Sequence, residues 1–485
     1  MKRVAQSPLA IVVLGLVAAF AWSAGYDVAT GDGHAAADGP MDRATATQVT
    51  EGARAQQRRN EPPPPIVRQG PRILRDPAEG EMGYDISIED RDGHSMDALH
   101  RALRRAERGE GQARLVFYGA SHVASDLFTG YIRRELQRRF GDAGHGIILP
   151  AHPWPSYRHR DVDMESSRRN WDSEKVRGGT RDIDHFGVAG TYVESDRAGA
   201  WGRVSTDDGE LGSKASLFDV YYLQQPEGGS FDVFVDGRRT ERVSTAGEGT
   251  QGGYATYRVP DGEHQLEVRT VGDGMVRFFG VAVERETPGV IVDTLGINGA
   301  RARYHLLWDD TLYREHLRRR QPDLVVIAYG TNESGDEVPI ERYEQRVREV
   351  MTRIRETTPD ASCLLVGPSD RPVRRDDGSY EDRPRTHQLI EAQHRVAVQT
   401  GCGFFDLVAF SGGPLSMVEW SAADPAFGAP DHVHYTRRGY ERLGQSLLAA
   451  LLEGYGGAGE AAASSSVVTD DEPDPTYEDG NGRPD

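Results

Sequence analysis

Four short segments of this 485-residue chain hold the residue types that hydroxyl-based acyl chemistry requires. Gly119-Ala120-Ser121-His122 follows an apolar run, Arg114 to Tyr118, and offers Ser121 as a nucleophile. Gly296-Ile297-Asn298-Gly299-Ala300 and Gly330-Thr331-Asn332-Glu333-Ser334 follow two further apolar runs, and Asp431-His432-Val433-His434 precedes the last amphipathic stretch. A serine hydroxyl attacks an ester when a base takes its proton, a carboxylate holds that base in the right tautomer, and donors face the developing oxyanion. Ser121, His434 and Asp431 are the first three types, and a three-residue separation lets Asp431 and His434 meet from one tight turn. The backbone N–H groups of Ser121 and Gly299 and the side-chain amide of Asn332 are the candidate oxyanion donors. Glycine at 299 has no Cβ to obstruct an acyl oxygen.

Each residue also has an ordinary reading. Ser121 stands where serine commonly caps a helix. Gly296 and Gly299 suit a turn, Asn332 suits a cap or an Asx turn, and Asp431 and His434 suit an exposed loop. What separates the two readings is whether the surrounding elements bring all of them to one place. Apolar runs and amphipathic stretches alternate: Arg114–Tyr118 and a helix over about 126–139, then Gly289–Leu295 and a helix over about 302–319. The alternation continues with Asp323–Tyr329, a helix over about 341–357, Cys363–Val366, a helix over about 384–400, Phe404–Val408 and a last helix over about 438–452. Strands alternating with helices predict an α/β fold: a doubly wound, flavodoxin-like parallel sheet of about five strands. Such sheets gather their ligands at the carboxyl ends of the strands, where all four segments fall.

Residues 187 to 287 have a different texture. Short period-two runs such as Phe218–Leu223, Phe231–Val235, His264–Val268 and Val276–Val281 are separated by Gly/Asp turns, which predicts an all-β sandwich inserted between the two parts of the α/β domain, 84–186 and 288–455. Its aromatic residues Phe218, Tyr221, Tyr222, Phe231 and Phe234 are expected in the core rather than on a sugar. The two cysteines, Cys363 and Cys402, each stand near the start of a predicted strand. If those strands are neighbours, the thiols can pair in an oxidising compartment; otherwise they are ordinary buried thiols.

A net charge of -19 and a pI near 5.3 argue against a protein that tracks nucleic-acid phosphates. The start, Met-Lys-Arg followed by apolar residues 9–22 and Ser23-Ala24-Gly25, reads as an export signal over 1–25, cleaved or retained as an anchor. A Pro-rich spacer over 26–83 and an acidic tail over 456–485 are expected to be disordered. His145, His152, His159, His432 and His434 show no ligand spacing with a third carboxylate or thiol partner, so neither metal nor cofactor is expected. The nucleophile elbow of α/β-hydrolases does not fit, because Val123 occupies its last glycine position.

In their order the four segments resemble the SGNH or GDSL hydrolase superfamily: a Gly-Asp-Ser block, a Gly block, a Gly-x-Asn block and a terminal Asp-x-x-His block. The resemblance spans about residues 84 to 455 and departs in one place, Ala120, where the family's first block has aspartate. It implies a carboxylic ester hydrolase with Ser121, Asp431 and His434 as catalytic residues and Ser121, Gly299 and Asn332 as oxyanion donors. Together with the export signal, the inserted sandwich and the stretch Arg138–Gly146, the chain resembles periplasmic peptidoglycan O-acetylesterases, in which an SGNH domain is interrupted by a sandwich similar to a carbohydrate-binding module. That resemblance implies an acetylated glycan as substrate and a periplasmic or extracellular protein, with a possible membrane tether through the N-terminal segment. Acetyl transfer to a glycan hydroxyl, hydrolysis of another polysaccharide or small ester, and a silent glycan-binding protein are the alternatives. Oligomeric state is not readable.

Overall fold

The structure, a computed structural model, describes residues 68–177 and 185–456. The expected signal segment, most of the spacer and all but the first residue of the acidic tail lie outside the described residues. Five apolar runs form the strands β1 (Gln112–Gly119), β2 (Gly289–Gly296), β3 (Leu324–Ala328), β4 (Ser362–Val366) and β5 (Gly403–Phe405). All pair in parallel, in the spatial order β2-β1-β3-β4-β5. This is the flavodoxin-like order, in which the winding reverses beside the first strand and opens a crevice there.

Period two decides which side chains face which layer. Leu115 and Phe117 of β1 pack with α1 (Asp97–Glu107), α2 (Ser121–Ala124), α3 (Phe128–Phe140) and the C-terminal helix Arg437–Leu451 on one face of the sheet. Val116 and Tyr118 pack with α4 (Asp310–Arg320), α5 (Ile340–Thr357) and α6 (Pro384–Thr400) on the other. Burial on both faces is why the strands read as nearly continuous apolar runs.

Between α3 and β2 the chain forms two antiparallel sheets. One carries Trp201–Ser205, Ser230–Val235 and Gln265–Thr270, the other Ala215–Gln224, Gln251–Gly262 and Val276–Glu284. They share an apolar core that includes Val204, Phe231 and Val268 from the first and Phe218, Val220 and Phe278 from the second. The antiparallel strands begin well before residue 187, since Gly144–Ile148 already pairs with Val276–Glu284. Asp163–Ser166 and Asp172–Lys175 follow as edge strands of the two sheets. Their alternating exposed positions carry polar side chains and give no apolar run to read.

Other differences have local causes. Residues 68–83, read as the end of the spacer, include a strand, Ile73–Arg75, paired with Asp85–Ile86, while Arg68 forms ion pairs with Glu89 and Asp406. The expected strand Phe404–Val408 stops at Phe405, because the Asp406 carboxylate accepts the N–H groups of Val408 and Ala409 and starts a short helix, Leu407–Ser411. Helix α1 is absent from the sequence-based expectation although Leu99, Ala102, Leu103 and Ala106 line its buried face.

Pairing of β4 with β5 sets Cys363 beside Cys402, with Cα atoms 4.9 Å apart, and the two form a disulfide across 39 residues of chain. Closing a loop of that size removes about 4 kcal/mol of unfolded-state entropy. Reduction, or the Cys363→Ser/Cys402→Ser pair, is therefore expected to lower the unfolding free energy by roughly that amount in urea titrations with and without dithiothreitol, while ester hydrolysis under native conditions persists.

Candidate active site

Register places the site. Gly119 at the end of β1 is paired with Gly296 at the end of β2 and Ala328 at the end of β3. The Ser121, Gly299 and Asn332 segments thus leave three adjacent strands at one level. Close packing depends on glycine at 296, where a Cβ would lie 2.1 Å from the backbone nitrogen of Ala124. The fourth segment arrives from the opposite direction. Thr436 caps the C-terminal helix by accepting the Gly439 N–H, and Tyr435 is buried against the core, so residues 431–434 are held just ahead of a fixed helix end.

Ser121 does not cap its helix. It is the first residue of α2, Ala120 holds the cap position, and no side-chain cap bond forms. Its Oγ lies instead 2.7 Å from His434 Nε2. On the other side of that ring, Nδ1 lies 2.6 Å from Asp431 Oδ2. A carboxylate only accepts, so the imidazole proton belongs on Nδ1, and Nε2 is left to accept from the serine. Asp431 Oδ1 also accepts the N–H groups of Val433 and His434, each at 2.9 Å. Burial pushes the Asp431 carboxyl up, but the hydrogen bonds from the His434 ring and these two N–H groups prevail and hold it well below the usual carboxylate range.

His122, next to the serine in sequence, is not placed to compete as base. It is buried with Nδ1 2.9 Å from the Tyr440 hydroxyl and Nε2 3.1 Å from Ser369 Oγ, and burial followed by repulsion from His434 lowers its pKa to about 3. Ala120 is buried in the apolar cluster that includes Ile297 and Ala300. Aspartate in that position would need a polar partner there, whereas the contact from Ser121 to His434 forms with alanine.

Gly299 has φ +76°, a left-handed conformation that favours glycine, and a Cβ there would point into open space. The Asn332 side chain does not cap the short helix after it. Its Nδ2 donates to the Ala300 carbonyl at 2.9 Å, which uses one of two amide protons and keeps the other for a ligand. Glu333, the next residue, braces this corner. Its buried carboxylate accepts the Ala302 N–H at 2.8 Å and the Gly330 N–H at 3.1 Å, joining the Gly299 and Asn332 segments. Burial raises its pKa, against the Ala302 N–H and its own backbone N–H. Glu333 follows directly on the asparagine, so its position was available to sequence reasoning; its long-range donor, the Ala302 N–H, was not.

A second brace lies beneath the serine loop. Asp126, at φ +50°, accepts from Thr129, from Thr294 of β2, from the Arg160 N–H and from both terminal nitrogens of Arg133. Its carboxyl feels burial first, yet Arg133 holds its pKa far below the usual range. The other histidines are engaged elsewhere: His145 Nε2 meets His159 Nδ1 at 3.1 Å, and the His432 ring packs 4.4 Å from Tyr380. Of the sandwich aromatics, Phe218, Tyr221, Tyr222 and Phe231 are buried, and Phe234 is half-buried beneath Arg269.

Residues 245–442 match the GDSL-like lipase/acylhydrolase family. That span contains Gly299, Asn332, Asp431 and His434 and leaves Ser121 outside. Among solved structures, a peptidoglycan O-acetylesterase is 26% identical, with a TM-score of 0.63 covering 76% of this chain and 99% of that chain. Family two carbohydrate esterases from Cellvibrio japonicus and Clostridium thermocellum are 12% and 13% identical, each with a TM-score of 0.26; the former covers 61% of this chain and 98% of its own, the latter 54% and 95%. No curated protein matches the sequence. The flavodoxin-like sheet, the family match over part of the chain and the 26% identical structure together show a carboxylic ester hydrolase that resembles the SGNH/GDSL type.

Proposed function

We propose that the protein is an exported serine esterase that removes O-acetyl groups from a cell-wall glycan, with peptidoglycan as the substrate. The observation that carries this reading is the continuous chain from Ser121 Oγ through His434 to Asp431, at 2.7 and 2.6 Å. The likeness to a peptidoglycan O-acetylesterase over 99% of that structure supports the choice of glycan, and the basic, apolar start of the chain supports export.

In the proposed reaction His434 Nε2 takes the hydroxyl proton as Ser121 Oγ attacks the acetyl carbonyl. The Ser121 and Gly299 N–H groups and the second Asn332 amide proton receive the oxyanion. Neither N–H is tied to a backbone acceptor among the described residues. As the tetrahedral adduct collapses, the sugar oxygen leaves with the proton from His434 and the acetyl group stays on Ser121. Water, deprotonated by the same nitrogen, then releases acetate and restores the serine. Asp431 holds the imidazole and stabilises its charged form throughout.

Acetate release from O-acetylated peptidoglycan, measured beside an acetylated xylan and a short lipid ester, tests the substrate; faster turnover of the xylan or the lipid ester would overturn it. Asn332→Ala is expected to lower kcat on p-nitrophenyl acetate by about 10²- to 10³-fold, with a much smaller change in KM, because its amide faces charge that exists only in the transition state.

A further inference from the structure

In a chain with a net charge of -19, one surface beside the Gly299 segment gathers Arg301, Arg303, Arg346 and Arg385. An open depression of about 580 Å³ is lined by Arg301, Arg303, Tyr304, Asp336, Glu337 and Val338. Arg303, Asp336 and Val338 also line a smaller recess whose walls include Arg346 and Arg385, so the two are continuous. The depression adjoins the candidate oxyanion corner: Arg301 Nη1 donates to the Gly299 carbonyl at 2.9 Å, and Glu333 at the recess ties the Gly330 and Ala302 N–H groups.

The carboxylates nearby are largely committed. Asp336 is held by Arg301 through two bonds of 2.8 and 2.7 Å. Glu333 is spent on backbone N–H groups, and Glu349 accepts from Gln345. Arg385 donates to the carbonyls of Glu333 and Val338. Arg303 and Arg346 make neither a hydrogen bond nor an ion pair among the described residues; Arg303 lies over the Tyr304 ring at 4.9 Å. Arg346 is half-buried, and its pKa is lowered by burial and then by Arg303 and Arg342, against a smaller pull from Glu349. Two guanidiniums that face one recess and repel one another are stabilised by an anion between them, and their planar forks match a carboxylate. Among the described residues Glu337, at the rim, is the acidic lining residue that makes neither a hydrogen bond nor an ion pair, and it disfavours a highly charged ligand over a single carboxylate.

We propose that this depression is a carboxylate subsite, in which Arg303 and Arg346 bind an acid group of an acidic glycan whose ester lies at Ser121. The link to an ester rests on the esterase reading above; the carboxylate subsite does not. The acid can be the free lactyl carboxylate of a muramyl sugar that carries no stem peptide, or the carboxylate of a uronic acid, which share the same chemistry.

Binding of three unacetylated probes, measured by calorimetry, separates these points: the N-acetylglucosaminyl-N-acetylmuramic acid disaccharide, digalacturonate and neutral chitobiose. One acidic probe at least is expected to bind the parent about tenfold or more tighter than chitobiose, the value of one charge-assisted bond. That advantage should vanish in Arg303→Gln/Arg346→Gln and partly return in Arg303→Lys/Arg346→Lys. Preference for the muramyl probe assigns the lactyl acid, and preference for digalacturonate assigns a uronate. Equal affinity of all three probes for the parent, or an advantage that survives in the glutamine pair, overturns the subsite. Should the pair fail to fold, Arg303→Gln alone carries the test, since that side chain is half-exposed and bonds to nothing else. Because no probe has an ester, failure of the parent to release acetate would count against the esterase reading and leave this result intact.

Discussion

Ser121→Ala is expected to remove acetate release almost completely, with a fall in kcat on the order of 10⁶-fold. The loss is larger than for any other single change because the hydroxyl is the atom that becomes acylated, and no nearby group is placed to replace it. His122 adjoins the serine, but its ring nitrogens face Tyr440 and Ser369, and its low pKa keeps it neutral. Ser125 is turned back, donating to the His122 carbonyl at 2.8 Å. Folding should be unaffected, since Ser121 contributes no helix cap. Parallel measurement of p-nitrophenyl acetate hydrolysis and thermal unfolding checks both halves: parent-like turnover in a folded Ser121→Ala protein would eliminate the serine mechanism.

Asp431→Asn should cost about 10⁴-fold in kcat while leaving the loop in place. The asparagine carbonyl can still accept the Val433 and His434 N–H groups that Asp431 Oδ1 holds. The amide nitrogen then occupies the place of Oδ2, 2.6 Å from His434 Nδ1, and it donates where the carboxylate accepted. Nδ1 must give up its proton, Nε2 takes it, and a protonated Nε2 cannot receive the proton of Ser121. Asp431→Ala removes the loop acceptors as well, so it should lose thermal stability that Asp431→Asn retains. Equal unfolding midpoints for the two variants would show that Asp431 does not organise the loop.

The candidate site was legible in the sequence to an unusual degree because its parts lie at strand ends. Once Gly119, Gly296 and Ala328 are recognised as the last residues of neighbouring parallel strands, Ser121, Gly299 and Asn332 have to emerge together. Asp431 and His434 needed only a tight turn before a helix. What sequence could not supply were contacts between segments remote along the chain: Glu333 reaching Ala302, Asp126 reaching Thr294, and the two arginines that have no ion pair among the described residues. The polar edge strands were missed for a related reason, since Asp163–Ser166 and Asp172–Lys175 are strands through their backbone partners rather than through apolar side chains. Helix α1 is a different case, for its periodic face was there to be read.

The pairing of β1 with β2 has a consequence for how the molecule assembles. These strands are hydrogen-bonded neighbours, yet both antiparallel sheets lie between them in the chain. Joining them directly from an unfolded chain would mean closing a very long loop, at an entropic cost that nothing local repays. If the antiparallel sheets form first, their strand Val276–Glu284 pairs with Gly144–Ile148 and brings the start of β2 close to the end of α3. The segment between the strands then acts as a clasp that shortens the remaining search. On this route the serine meets its histidine only after the intervening sheets have closed, and competence to cleave an ester is among the last properties the chain acquires.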